Sequence, residues 1–171
     1  QPEPEMTGFY QRVGFQPWRR AKEMQAATQL VTAENPLPLT QLSQSEKPPE
    51  HLALHIGRYQ CGGQGWETLW PSVAIPELMA LRRSVWRGEV ADKPVVLGLR
   101  EQFRNPTQAD GYAWLPPDAP LTPVVAALRE LATHASYSAV DLLLPEDALP
   151  ELKAAFRLDY QTTVDLWIKQ I

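Results

Sequence analysis

Residues 111–171 switch between extended and helical patterning in a fixed order, which leaves few folds open to the chain. Gly111-Tyr112-Ala113-Trp114-Leu115 is a short aromatic and apolar run, the pattern of a strand. Pro116-Pro117-Asp118-Ala119-Pro120 stops it, a segment that can neither donate regularly to a ladder nor extend one. Val124, Val125, Leu128, Leu131 and Ala132 then fall at helical spacing, with Arg129, Glu130, Thr133 and His134 elsewhere. This predicts an amphipathic helix ending near Ala135, with Pro123 near the N-terminal end where a missing N–H costs least. Val140-Asp141-Leu142-Leu143-Leu144 is nearly continuous in apolar residues, as in a strand covered on both faces. Asp147 is placed to cap a second helix with Leu149, Leu152 and Phe156 on one face. Val164, Leu166 and Ile168 alternate with Asp165, Trp167 and Lys169 in a closing strand with one wet face. Strand, helix, strand, helix, strand predicts an α/β fold.

Near the other end, Phe9-Tyr10-Gln11-Arg12-Val13-Gly14-Phe15-Gln16 has the form FYxxxGF. The string and the order of elements over residues 94–171 resemble the GNAT superfamily, the Gcn5-related N-acetyltransferases, whose last helix and turn carry that signature. The resemblance implies a mixed, twisted β-sheet flanked by helices. Laid without gaps on Ala154-Ala155-Phe156-Arg157-Leu158-Asp159-Tyr160-Gln161, the string places Arg12 on Arg157, Val13 on Leu158 and Phe15 on Tyr160, at an offset of 145 residues. That is about one domain length. The organisation it implies is tandem: residues 1–30 as the last helix and strand of a preceding GNAT repeat, 31–50 as a linker, and 51–171 as a second GNAT-like domain.

Composition agrees with this division. Pro36, Pro38, Pro48 and Pro49 mix with Ser, Thr, Gln and Lys, as in a linker, and an apolar fraction of 44% is enough for a sizeable core. Leu52, Leu54 and Ile56 alternate in a strand opening the second domain. Cys61-Gly62-Gly63-Gln64-Gly65 reads as a turn, because it lacks the Gly-Lys-Ser/Thr ending of a phosphate-binding loop. Trp66, Leu69, Trp70 and Val73, then Leu78, Leu81 and Trp86, suggest two short helices, the second carrying Arg82, Arg83 and Arg87 on a solvated face. Residues 94–100 read as a strand, joined by a turn-rich link over residues 104–110 to the next strand in a hairpin. A net charge of −4 without a basic block argues against nucleic acid, and no apolar run approaches the ~20 residues of a membrane helix. One cysteine excludes an intrachain disulfide, so the expected setting is cytoplasmic.

The resemblance also locates the chemistry. GNAT enzymes hold the pyrophosphate of acetyl-CoA on backbone N–H groups at the start of the helix after the fourth strand, where unpaired donors and the helix dipole favour an anion. Here that segment is residues 121–128, with Thr122, Val124 and Val125 as the backbone donors for the cofactor. It has no glycine, and Pro123 deletes one donor. The tyrosine that protonates the departing CoA thiolate in many members corresponds to Tyr10 as catalytic acid in the first copy, whereas Ala155 stands there in the second. The function implied is acetyl-CoA-dependent N-acetyl transfer to a small-molecule or peptide amine. The alternative is a non-catalytic GNAT-fold module that packs on a preceding GNAT domain, forms a homo-oligomer or senses a small molecule, with Trp66, Trp70, Trp86 and Trp167 as interface candidates. No metal site is expected: His51 and His55, four apart on a strand, are too widely spaced to chelate together.

Overall fold

The computed structural model describes residues 4–28, 38–43, 46–57, 62–72 and 74–168. Among these, one mixed sheet holds eight strands: β1 (Gln16–Ala27), β2 (Leu39–Gln41), β3 (Ala53–Ile56), β4 (Arg83–Val90), β5 (Lys93–Gln102), β6 (Asn105–Leu115), β7 (Ala139–Pro145) and β8 (Leu158–Ile168). The helices are α1 (Pro4–Arg12), α2 (Gly62–Leu69), α3 (Pro76–Met79), α4 (Leu121–His134) and α5 (Leu149–Ala155). Across the sheet the order is β2-β4-β5-β6-β7-β1-β8, with β3 paired to β6 off that path. β6 and β7 are parallel and α4 crosses between them; the other pairings are antiparallel.

Side-chain alternation divides the sheet into two cores. Val95, Leu97 and Leu99 of β5, Ala113 and Leu115 of β6, Val140, Leu142 and Leu144 of β7, and Met24 and Ala26 of β1 face α4 and α5. Val85, Val96, Tyr112 and Trp114 face the other way and meet Trp66 and Leu69 of α2. β7 is nearly continuous in apolar residues because both of its faces are covered. α4 follows its periodicity, burying Val124, Val125, Leu128, Leu131 and Ala132, and each such leucine contributes about 1.5–3 kcal/mol at most.

Several expectations need correction. Residues 83–90 form β4 rather than a second helix: Val85 and Trp86 contact opposite cores, and the apolar spacing that mimicked a helix spans α3, a turn and this strand. Residues 62–65 open α2 rather than forming a turn. Their glycines permit close approach to the sheet, since a Cβ on Gly65 would stand 2.8 Å from Leu54 Cδ2. Residues 105–110 belong to β6, so the hairpin exists with a tighter turn than expected. Asp147 lies in a single 3-10 turn (Glu146–Ala148) and makes no side-chain cap; Ala148 occupies the N-cap of α5.

The N-terminal segment is integral to the sheet. β1 lies between β7 and β8, paired from Ala21↔Pro145 to Ala27↔Ala139 on one side and from Gln16↔Ile168 to Ala26↔Leu158 on the other. Of the proline-rich segment, residues 31–37 lie outside the described residues and Leu39–Gln41 supply the edge strand β2. Among the described residues no helix is long and apolar enough to cross a membrane.

Candidate functional site

β6 and β7 pair only at Gln108↔Ala139, Ala109↔Val140 and Asp110↔Asp141. Beyond Asp110 they diverge, β6 running on to Leu115 and β7 to Pro145. A splayed parallel pair with a helix crossing above it is where the GNAT resemblance expects the cofactor. Here β3 takes that flank of β6, pairing Ala53↔Leu115, Leu54↔Trp114 and Ile56↔Ala113, while β5 occupies the other flank at Val96↔Trp114 and Leu97↔Ala113. The register shift between Leu54 and Ile56 makes His55 the extra residue of a bulge. Because of that shift, Leu54 and Ile56, two residues apart, point to opposite faces. Leu54 enters the α2 core and Ile56 the α4 core.

Outside this plug a cavity of about 680 Å³ opens, lined by Arg20, His55, Leu121, Glu146 and Asp147 among others. Its charges oppose a pyrophosphate. Glu146 and Asp147 are acidic, and the Nε of Arg20 is taken by Asp165 at 2.8 Å, a hydrogen bond that raises the guanidinium pKa. Lys22 pairs with Glu146 at 3.0 Å. The start of α4 is no better suited: Pro120 is the N-cap without a side-chain hydrogen bond, Pro123 has no N–H, and Val124 and Val125 are buried. The Thr122 hydroxyl donates to Glu151 Oε1 at 2.6 Å, which sets a carboxylate beside the first turn of the helix. The residues present do not fit the phosphates of acetyl-CoA.

Tyr10 lies elsewhere. Its ring stacks on Trp167 at 5.8 Å and 24°, and meets Phe9 and Phe15 edge-on; it is not among the residues lining the cavity. His55 sits in the bulge and His51 precedes the strand, while Cys61 lies outside the described residues.

A second feature went unread in the sequence. On the face that carries the α2 core, register partners form a polar row across six strands: Arg83, Arg100, Asp110, Asp141, Gln25 and Asp159. Arg100 Nη2 donates to Asp110 Oδ2 at 2.7 Å, and Gln25 Nε2 to Asp141 Oδ1 at 2.9 Å. Gln102 Nε2 bridges the two aspartates, at 3.2 Å to Asp110 and 2.7 Å to Asp141. A small cavity of about 140 Å³ opens over this bridge, lined by Glu23, Asp110, Asp141, Leu143 and Val164. The signal was one of alternation, since Asp110, Tyr112 and Trp114 share a face once 105–110 is read as strand.

No protein-family model matches the sequence, and no curated protein matches it.

Proposed function

We propose that this chain is a non-catalytic GNAT-like module, cytoplasmic, that packs against a second GNAT-like domain rather than transferring an acyl group. The observation that carries the reading is β3, which occupies the flank of β6 where an extended cofactor arm would need to lie. The acidic surroundings of the α4 N-terminus and the absence of glycine there support it, as does alanine at position 155. The packing surface is the region of α1, β1 and β8. β8 ends the sheet, and Phe9, Val13, Trp18 and Tyr160 are exposed around it. A second unit of the same kind suits this surface because α1–β1 and α5–β8 are both helix-then-strand units that meet as antiparallel strands.

Acetyl-CoA titration by calorimetry tests the reading, with light scattering of the same sample. The expected result is no saturable binding. Saturable binding would restore the catalytic reading, acetyl transfer to an amine with Thr122, Val124 and Val125 as cofactor donors and Tyr10 as acid. A Trp18→Arg and Tyr160→Lys variant is expected to abolish association with a second domain, whether another copy of the chain or a joined unit.

A further inference from the structure

A separate cavity, of about 390 Å³, lies between α2, α3 and β5. Its volume is within the ~300–1,000 Å³ typical of small-molecule sites. Pro71, Ile75, Leu78 and Leu81 make an apolar wall, Gln64, Glu67 and Thr68 line the α2 side, and Arg100 is the one cation on the lining among the described residues.

The charge balance beneath it is uneven. Arg83 and Arg100 are register partners on β4 and β5, on the same face of the sheet, and like charges so placed repel. Among the described residues Arg83 bonds only carbonyls: Nε to Leu81 at 3.1 Å, Nη1 to Leu69 at 3.2 Å and Nη2 to Leu78. It thereby ties the ends of α2 and α3 to the sheet and builds the wall of the cavity. Burial first, and the charge of Arg100 second, lower its pKa. The buried carboxylate nearby, Asp110, is taken by Arg100 Nη2, whereas Arg100 Nε is buried with no hydrogen-bond partner among the described residues. Among the described residues Glu67 supplies the cavity's one carboxylate, but it is exposed and accepts the Ser72 N–H.

We propose that this cavity binds a small monocarboxylate with an apolar tail, the carboxylate meeting Arg100 and the tail lying along Ile75, Leu78 and Leu81. Asp110 pairs with Arg100 while Arg83 beside it meets carbonyls, so the two neighbouring guanidiniums have one bonded carboxylate between them among the described residues. A ligand carboxylate supplies a second anion, and a planar guanidinium is the side chain best matched to it. The apolar wall accounts for the tail, since each CH₂ taken out of water adds to binding. The site is independent of the splayed strands, so it holds whether or not acetyl-CoA binds.

The test uses octanoate, 1-octanol and octylammonium, titrated into the full chain by calorimetry. Octanoate is expected to saturate, with the alcohol and the amine at least tenfold weaker. Leu78→Trp fills the cavity from a partly exposed position and is expected to abolish octanoate binding. Arg100→Gln with Asp110→Asn removes both charges together and is expected to erase the preference for octanoate over octanol. Folding of each variant is checked by its thermal transition. Equal affinity for the three probes, no saturation by octanoate, or an unchanged preference in the folded double variant would overturn the proposal.

Discussion

Asp110 and Asp141 are register partners at the point where β6 and β7 part, and one side-chain amide, that of Gln102, donates to both. Two carboxylates held this way depend on a neutral donor between them. Gln102→Glu replaces that donor with a third carboxylate, so it should destabilise the fold by about 1–3 kcal/mol near neutral pH. The new group would titrate above the ordinary carboxylate range because like charges disfavour its ionised form. Its penalty is therefore present at neutral pH and fades as pH falls through that raised value. Urea unfolding at neutral pH and near pH 5 checks this; a loss that grows on acidification would contradict it.

Ile56 and Leu54 belong to a strand of only four residues, yet each is buried in a different core. If β3 is the wedge that holds the splayed strands, Ile56→Ala and Leu54→Ala should each cost about 2–5 kcal/mol, as buried large-to-small changes do. Denaturant midpoints decide this. Losses near 0.5 kcal/mol would mean that β3 is only loosely seated.

Gly88 lies opposite Leu39, and a Cβ there would fall 2.1 Å from the Pro38 carbonyl oxygen, a backbone atom that cannot swing aside. Gly88→Ala should detach β2 from β4 and leave the remaining sheet intact. Hydrogen exchange would show protection lost over Leu39–Gln41 and kept in β5 and β6.

The later elements were legible because their patterns are local. Val124 to Ala132 repeat at helical spacing, and residues 140–144 are apolar apart from Asp141. What escaped the sequence depends on partners far along the chain. Nothing local says that β1 inserts between β7 and β8, or that β3 fills a splay about 60 residues downstream. Leu78, Leu81 and Trp86 fit a helical repeat that would carry Arg83 on a helix, although they span α3, a turn and β4. Arg100 and Asp110 join into one site only through strand register, which single-chain periodicity does not carry.

Two exposed carboxylates have lowered pKa values. Asp118 is held down chiefly by its hydrogen bond from Lys93, and Glu67 by its hydrogen bonds with Ser72. A carboxyl whose folded pKa is depressed contributes stability that is complete above the unfolded value of about 4 and is lost as pH falls through the lower folded value. Asp118→Asn and Glu67→Gln should therefore lower the thermal midpoint slightly near pH 6 and converge on the parent once the pH has fallen below those lowered values. A difference that persists unchanged at low pH would assign the effect to packing.

Tyr10 stacks on Trp167 and ties α1 to the last strand of the sheet, so its ring, more than its hydroxyl, should govern the docking of α1. Tyr10→Phe keeps the ring and is expected to change stability by less than about 0.5 kcal/mol. Tyr10→Ala removes an aromatic pair worth about 0.5–1.5 kcal/mol beyond its buried area, and should raise hydrogen exchange across Pro4–Arg12 while β7 stays protected. Trp167→Ala should do the same, and the double variant should fall short of the sum of the two, since both remove one contact. If α1 keeps its protection in Tyr10→Ala, the stack does not hold the helix. If Tyr10→Phe instead abolishes a measured acetyl transfer while stability is unchanged, the hydroxyl is the working group and the non-catalytic reading fails.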